Sequence, residues 1–356
     1  MLRKIISLSK KFISIKSAPD NSKALKKILE LASSNLKEYK IDKFEKKGFK
    51  SALFYNQNKR PKRFKVILNG HLDVIPGKES QYRPSVKGNK LYGAGAMDMK
   101  AGASSLIFAF KNTASKVSYP LGLQLVTDEE VGGFNGTKYQ IEKGVRADFV
   151  IVGESTNLNI ENKAKGVFWA KIFAKGKSAH GAYPWKGENA IWKMTQFLNA
   201  LEKNYPNPKE EKWVTTLNLS TICSSNKTFN KIPDNCEAWL DIRYIPERSE
   251  SIVKDIKKLL PKGFRLEIEA LEPALSTPSN NFYLRTLKQE IEKVAKRKVS
   301  LVSANGSSDA RHFARVHCPA VEFGPIGEGM GSDSEWVDIN SLGKHYQILK
   351  NFLLTL

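Results

Sequence analysis

The sequence predicts an α/β fold: a mostly parallel sheet interrupted by a smaller α+β insert. Three observations predict it. Apolar strands alternate with helical stretches up to about residue 164. From 166 onward the apolar pattern switches to period two, in the order strand, helix, strand, strand, helix, strand. After about 275 the alternation of helix and strand returns. Residues 1–164 and 275–356 are therefore expected to form one discontinuous domain, with 165–274 inserted into it.

Each element has its own reason. Asp20-Asn21-Ser22 offers a cap for a helix over 25–36, whose Leu25, Ile28, Leu29 and Ala32 share one face. Residues 64–70 (FKVILNG) read as a buried strand ending in glycine, and 97–110 as a helix. Residues 121–126 (LGLQLV) form the next strand, a helix follows near 137–142, and 149–153 (FVIVG) is again a buried strand. In the insert, 166–174, 213–220, 236–244 and 265–271 alternate as strands, with helices over 188–202 and 249–260. The alternation implies one sheet face covered by those two helices. A helix over 280–296, strands over 299–303 and 320–323, and a closing helix over 341–354 complete the chain.

Composition narrows the function. With 41% hydrophobic residues in 356, the chain can bury a sizeable core, so a disordered main state is excluded. The three cysteines, Cys223, Cys236 and Cys318, are few, odd in number and widely spaced. A disulfide framework and a CxxC knuckle are excluded, and a reducing, cytoplasmic compartment is expected. No apolar run approaches the ~18 residues of a membrane span. Lys10 and Lys11 break the apolar start of the chain, so a signal peptide is not expected. The net charge of +22 raises nucleic-acid binding. Yet 19 Lys/Arg against 5 Asp/Glu fall in residues 1–65, interleaved with apolar residues at helical spacing. They read as solvated helix faces, and no nucleic-acid partner is expected.

Chemistry concentrates at strand ends. His71-Leu72-Asp73 follows the strand at 64–70, Asp128-Glu129-Glu130 follows 121–126, and Glu154 follows 149–153. Asp98 closes the glycine-rich loop Gly93-Ala94-Gly95-Ala96-Met97. In an open α/β sheet ligands bind beyond the carboxyl ends of the strands, so these groups are expected to converge. Imidazole plus carboxylates suits Zn²⁺, with Co²⁺ or Mn²⁺ as alternatives. A carboxylate can bridge two ions, Asp73 is placed to orient the His71 ring, and of Glu129 and Glu130 one suits a ligand and the other a base. Taken singly, each cluster has a plain alternative: a satisfied surface histidine, a solvated acidic pair, or a helix or turn cap.

The segments GHLDVIPG (70–77), LYGAGAMDMKAG (91–102), TDEEVGG (127–133), VGES (152–155), GKSAHGAYPWKGENAI (176–191) and NKIPDNCEAWLDIR (230–243) resemble the zinc-dependent deacylase and exopeptidase family. That family includes succinyl-diaminopimelate desuccinylase, acetylornithine deacetylase and glutamate carboxypeptidase. The resemblance spans nearly the whole chain. It implies an amide-bond metallohydrolase whose catalytic domain carries an inserted, ferredoxin-like dimerisation or lid domain, acting as a homodimer. By motif, His71 and Glu154 would hold one metal, Asp98 would bridge two, and Glu130 would bind the second. Glu129 would be the general base and then the acid. His180 would polarise the scissile carbonyl, often in the partner subunit's site. Asn230 and Arg243 would hold a substrate carboxylate, with a turn and a strand-edge ion pair as their plain alternatives. The loop at 305–311, with Ser307, resembles the family's substrate loop.

One position departs. Where the family places a histidine for the second metal, this chain has Gly331, within 327–336. The second metal would keep Asp98 and Glu130 alone, fewer than the three protein ligands usual for catalytic zinc. His312, His317 and His345 do not occupy the motif position, and Asp333 is the nearest substitute. The expected activity is hydrolysis of an N-acyl amino acid or a short peptide with a free carboxylate. The alternative is an impaired relative that binds without turnover.

Overall fold

The computed structural model describes residues 1–356. The chain divides into two compact units: residues 1–163, 275–303 and 308–356 in one, and 164–274 with 304–307 in the other.

The first unit is built on a nine-stranded sheet. Its path runs Lys40–Lys46, Phe49–Tyr55, Leu121–Val126, Phe64–His71, Ala147–Val152, Ala320–Glu322, Ile160–Ala164, Leu275–Ser276, with Leu301–Ala304 beside Ile160–Ala164. The centre is parallel: Phe64–His71 pairs parallel with Leu121–Val126 and with Ala147–Val152, which pairs parallel with Ala320–Glu322. The outer pairs at the Lys40 end are antiparallel. The central strands are buried on both faces, which is why they read as unbroken apolar runs rather than as alternation. Phe110, Phe149 and Phe352 are fully buried against them. Burying each such ring contributes roughly 1.5–3 kcal/mol.

The helix Lys100–Thr113 lies almost wholly inside this unit. It begins three residues later than its apolar pattern suggests, because Met97–Met99 is held in an irregular loop. Small residues let it approach the sheet: a Cβ on Gly102 would stand 2.5 Å from the Gly153 carbonyl. That contact sets the helix against the backbone just before Glu154. A separate four-stranded sheet, Gly327–Glu328, Trp336–Asp338, Lys90–Tyr92 and Ser85–Lys87, pairs Trp336 with Tyr92. The loops 93–99 and 329–335 flank that pair and are thereby brought together.

The second unit has the order β-α-β-β-α-β: Gly166–Lys175, Ala190–Asn204, Thr216–Cys223, Asn235–Tyr244, Ile252–Leu259 and Arg265–Glu272. Asn235–Tyr244 pairs antiparallel with both Thr216–Cys223 and Gly166–Lys175, which pairs antiparallel with Arg265–Glu272, a ferredoxin-like arrangement. Phe168, Ala170, Ile172 and Ala174 are buried with Met194, Phe197 and Ile256 of the two helices, while Trp169 and Trp239 stay exposed. The second strand in this order starts at Thr216, not 213, and continues to Cys223 through a register shift between Leu219 and Thr221.

Candidate metal centre

His71 is the last residue of its strand and is buried. Its Nε2 stands 2.9 Å from Asp98 Oδ1 and 3.6 Å from Glu154 Oε1, and the three ligand atoms lie within 4.8 Å of one another. Two atoms each ~2.0–2.2 Å from one tetrahedral zinc stand roughly 3.3 Å apart, so the observed spacing suits a shared cation. The donor set of one imidazole and two carboxylates suits the same ion. Asp98 does not cap the helix that follows it; its carboxylate faces the imidazole instead.

The electrostatics point the same way. Burial works to lower the His71 pKa, but the facing Glu154, Asp73 and Asp98 overcome it and hold the ring well above its ordinary value. Burial pushes Glu154 and Glu129 well up, against the pull of His71, with Asp98 adding to the rise. Burial likewise raises Glu130 to about 7, opposed by His71 and reinforced by Asp98 and Asp73. Several buried carboxylates facing one imidazole are what a bound cation would relieve.

Asp73 is placed differently from a simple orienting carboxylate. Its backbone carbonyl is the nearer partner of His71 Nδ1, at 3.1 Å, with its carboxylate at 3.5 Å. The other carboxylate oxygen accepts from the Glu130 N–H at 2.9 Å, tying the His71 strand to the acidic turn. Glu129 and Glu130 lie in a short 3₁₀ turn, Glu129–Val131, closed by Gly132 at φ +101°. Glu130 Oε1 accepts from Ile75 N–H at 3.1 Å. With Asp98, Gly331 and Glu335 it lines a cavity of about 20 Å³, the size of a single small ion or water.

The sequence reading missed the group that shapes the Asp98 loop. Glu335 is buried and accepts from the N–H groups of Gly95, Met97 and Asp98 at 2.9, 2.7 and 3.0 Å. Its proximity to Gly331 in sequence was the available clue. Ser155, beside Glu154, donates to the Met97 carbonyl from the other side at 2.8 Å. Asp333 is no substitute ligand, because it is exposed and paired with Lys78. Nor do the histidines replace the absent one. His312 bonds the Gly132 carbonyl, and His345 is enclosed between Ser105 and the Phe323 carbonyl.

In the second unit, His180 is exposed, and the Ala182 N–H donates to its Nδ1 at 3.2 Å. With Nδ1 accepting, a neutral ring carries its proton on Nε2. Asn230 shares this corner through its carbonyl, which accepts from Gly181 N–H at 2.7 Å. Arg243 is committed: its fork bonds both Asp241 oxygens, at 2.8 and 3.2 Å, the strand-edge ion pair. The Ser307 hydroxyl is buried without a partner within the chain.

Comparison with known proteins agrees with this architecture. Residues 67–355 match the model of peptidase family M20/M25/M40. Succinyl-diaminopimelate desuccinylase of Pelagibacter ubique (strain HTCC1062) is 31% identical over 318 residues, covering 80% of this chain and 82% of that protein. The desuccinylase of Rickettsia felis is 30% identical over 319 residues, covering 81% and 83%. Among solved structures, aminopeptidase PepT of Bacillus cereus aligns with a TM-score of 0.82 at 17% identity, over 99% of this chain and 98% of that one. The dinuclear metal binding M20 peptidase YXEP of Bacillus subtilis aligns with a TM-score of 0.70 at 14% identity, over 99% and 98%. At these identities the structures show the fold alone. The chain belongs to peptidase family M20/M25/M40 and is a hydrolase of amide bonds.

Proposed function

We propose that this chain removes the acyl group from an N-acyl amino acid, in the manner of a desuccinylase or deacetylase, or cleaves a short peptide with a free carboxylate. The observation that carries the reading is the cluster of His71, Asp98 and Glu154 with Glu129 and Glu130 on the adjacent turn. The three clustered residues would hold Zn²⁺, which supplies Lewis-acid polarisation of the scissile carbonyl and of the attacking water. Glu129, raised in pKa by its burial, takes a proton from the water and returns it to the leaving amine nitrogen. His180 offers its Nε2–H to the oxyanion as charge develops there. Asn230 and Ser307 hold the substrate carboxylate, and Arg243 joins them only by leaving Asp241. The likeness to succinyl-diaminopimelate desuccinylases supports an acidic acyl group.

The test is turnover by zinc-loaded protein of a panel of N-succinyl and N-acetyl amino acids and dipeptides, with Glu129→Ala beside it. Turnover lost in the variant by more than about 1,000-fold, with folding and zinc content kept, supports the reading. Refusal of the whole panel by folded, zinc-loaded protein, or undiminished turnover by the variant, defeats it. We also propose a homodimer formed through the insert, whose open sheet face exposes Trp169 and Trp239; a monomer in sedimentation would overturn that. A cytoplasmic location is supported by the three free thiols.

A further inference from the structure

We propose that Arg311 is a positioning residue for Glu129, and that 308–312 serves the base rather than the substrate alone; this rests on Glu129 being the base. Glu129 opens a turn of three residues, too short to fix its own carboxylate. What fixes the turn comes from the far side of the sequence. The Gly132 carbonyl, at the turn's exit, accepts from Arg311 Nη2 at 2.7 Å and from His312 Nε2 at 3.0 Å. Arg311 Nη1 donates to the Ser308 carbonyl at 2.6 Å and stands 3.9 Å from Glu129 Oε1. One guanidinium therefore spans two carbonyls and the carboxylate.

Its burial makes the arrangement significant. Arg311 is 5% exposed, and its Nε has no acceptor within the chain. A buried cation is costly unless it is paired, and Glu129 is the carboxylate within 4 Å of it. The separation of 3.9 Å is beyond a direct hydrogen bond. Arg311 thus biases the carboxylate's direction and leaves its oxygens available to accept and release a proton. The helix Ala310–Ala314 is itself anchored: Thr137 Oγ1 donates to Asp309 Oδ2 at 2.5 Å. The rigid, forked guanidinium suits three fixed points; a lysine ammonium on a flexible stem does not.

The test uses the full-length zinc-loaded protein and the variants Arg311→Ala and Arg311→Lys. Misplacement of a reacting group by about 1 Å costs on the order of 100-fold, so kcat should fall by roughly that in Arg311→Ala. KM should stay within about twofold, with zinc per chain unchanged. Added guanidinium ion at millimolar concentration should restore kcat at least about tenfold in Arg311→Ala and not in wild type. Arg311→Lys should retain the fold and still lose kcat. Independently of any substrate, amide hydrogen exchange across 128–136 should accelerate in Arg311→Ala and slow again with guanidinium. Unchanged kcat in an active enzyme, a KM rise matching the kcat fall, loss of zinc, or unchanged exchange would each overturn the proposal. Because exchange needs no substrate, it decides the positioning claim even if every amide is refused, an outcome that would defeat the hydrolase reading instead.

Discussion

Replacing Gly331 by histidine tests what the cavity beside Asp98 and Glu130 is for. Gly331 has φ +67°, so any side chain there adopts a left-handed conformation, at a cost of about 1–2 kcal/mol. Space is not the obstacle. The nearest atom to a Cβ would be Ile75 Cδ1 at 3.5 Å, an ordinary contact. Ile75 is also the residue whose N–H bonds Glu130, so the new imidazole would enter on the side where Glu130 waits. Without metal, Gly331→His should therefore be less stable than the parent by about 1–2 kcal/mol. With zinc at about 100 times the dissociation constant of a completed second site, binding returns about 2.7 kcal/mol. The difference in stability between variant and parent should change sign on adding zinc. Denaturant unfolding in chelator and in zinc measures this, and metal content after dialysis should rise by about one ion per chain. A variant that is destabilised equally in both conditions, with unchanged metal content, would refute the reading of position 331 as a missing ligand.

Other expectations follow from groups around the site and in the core. Glu335→Ala frees three N–H groups of the Asp98 loop and should weaken zinc affinity by about 10–100-fold, measured by competition with a chelating dye. His345 is held neutral by burial, its pKa pushed down to about 3 despite the Phe323 carbonyl. The unfolded chain takes up a proton near pH 6.5 and the folded one does not. Stability is thus complete above about 6.5 and is lost as pH falls toward 3, by about 2 kcal/mol at pH 5. His345→Gln should flatten that limb in urea titrations at successive pH values. Glu322 is raised well above the usual carboxylate range by burial and by its hydrogen bond with Glu161. The folded state therefore keeps this proton to higher pH, and its stabilisation is present at low pH and lost as pH rises. Glu322→Gln should gain stability over the parent at pH 8 and show a smaller gain at pH 5, by the same titrations.

The fold was legible where apolar runs were long. The strands at Phe64–His71, Leu121–Val126 and Ala147–Val152 are buried on both faces, so their sequences carry little else. The hairpin Lys40–Lys46/Phe49–Tyr55 was missed, because Lys40, Lys43 and Lys46 fall on both faces of its first strand and mask the alternation. Its turn, Lys47-Gly48 at φ +49° and +84°, was the readable sign. His71 and Glu154 were readable because each lies at the carboxyl end of an apolar strand, and Asp98 because it closes the glycine-rich loop at 93–97. Glu335 and Arg311 were not. Both act by holding backbone groups more than 170 residues away, and single-sequence spacing does not encode such contacts. Arg243 shows the converse: the family motif implies a fork free for a substrate carboxylate, while Asp241 two residues earlier, on the same strand face, takes it as the strand-edge ion pair.

The convergence of the site follows from two pairings that lie outside it. Parallel registry sets His71 beside Val126, so the acidic turn Glu129–Val131 emerges next to the imidazole, and the Asp73 carboxylate bonds the Glu130 N–H across that gap. The antiparallel pairing of Trp336 with Tyr92 then delivers Glu335 to the loop carrying Asp98. Neither pairing depends on a metal, since backbone ladders and buried apolar strands maintain both. The carboxylates are therefore held together before any cation arrives, and the stability forgone in crowding them becomes affinity when one binds.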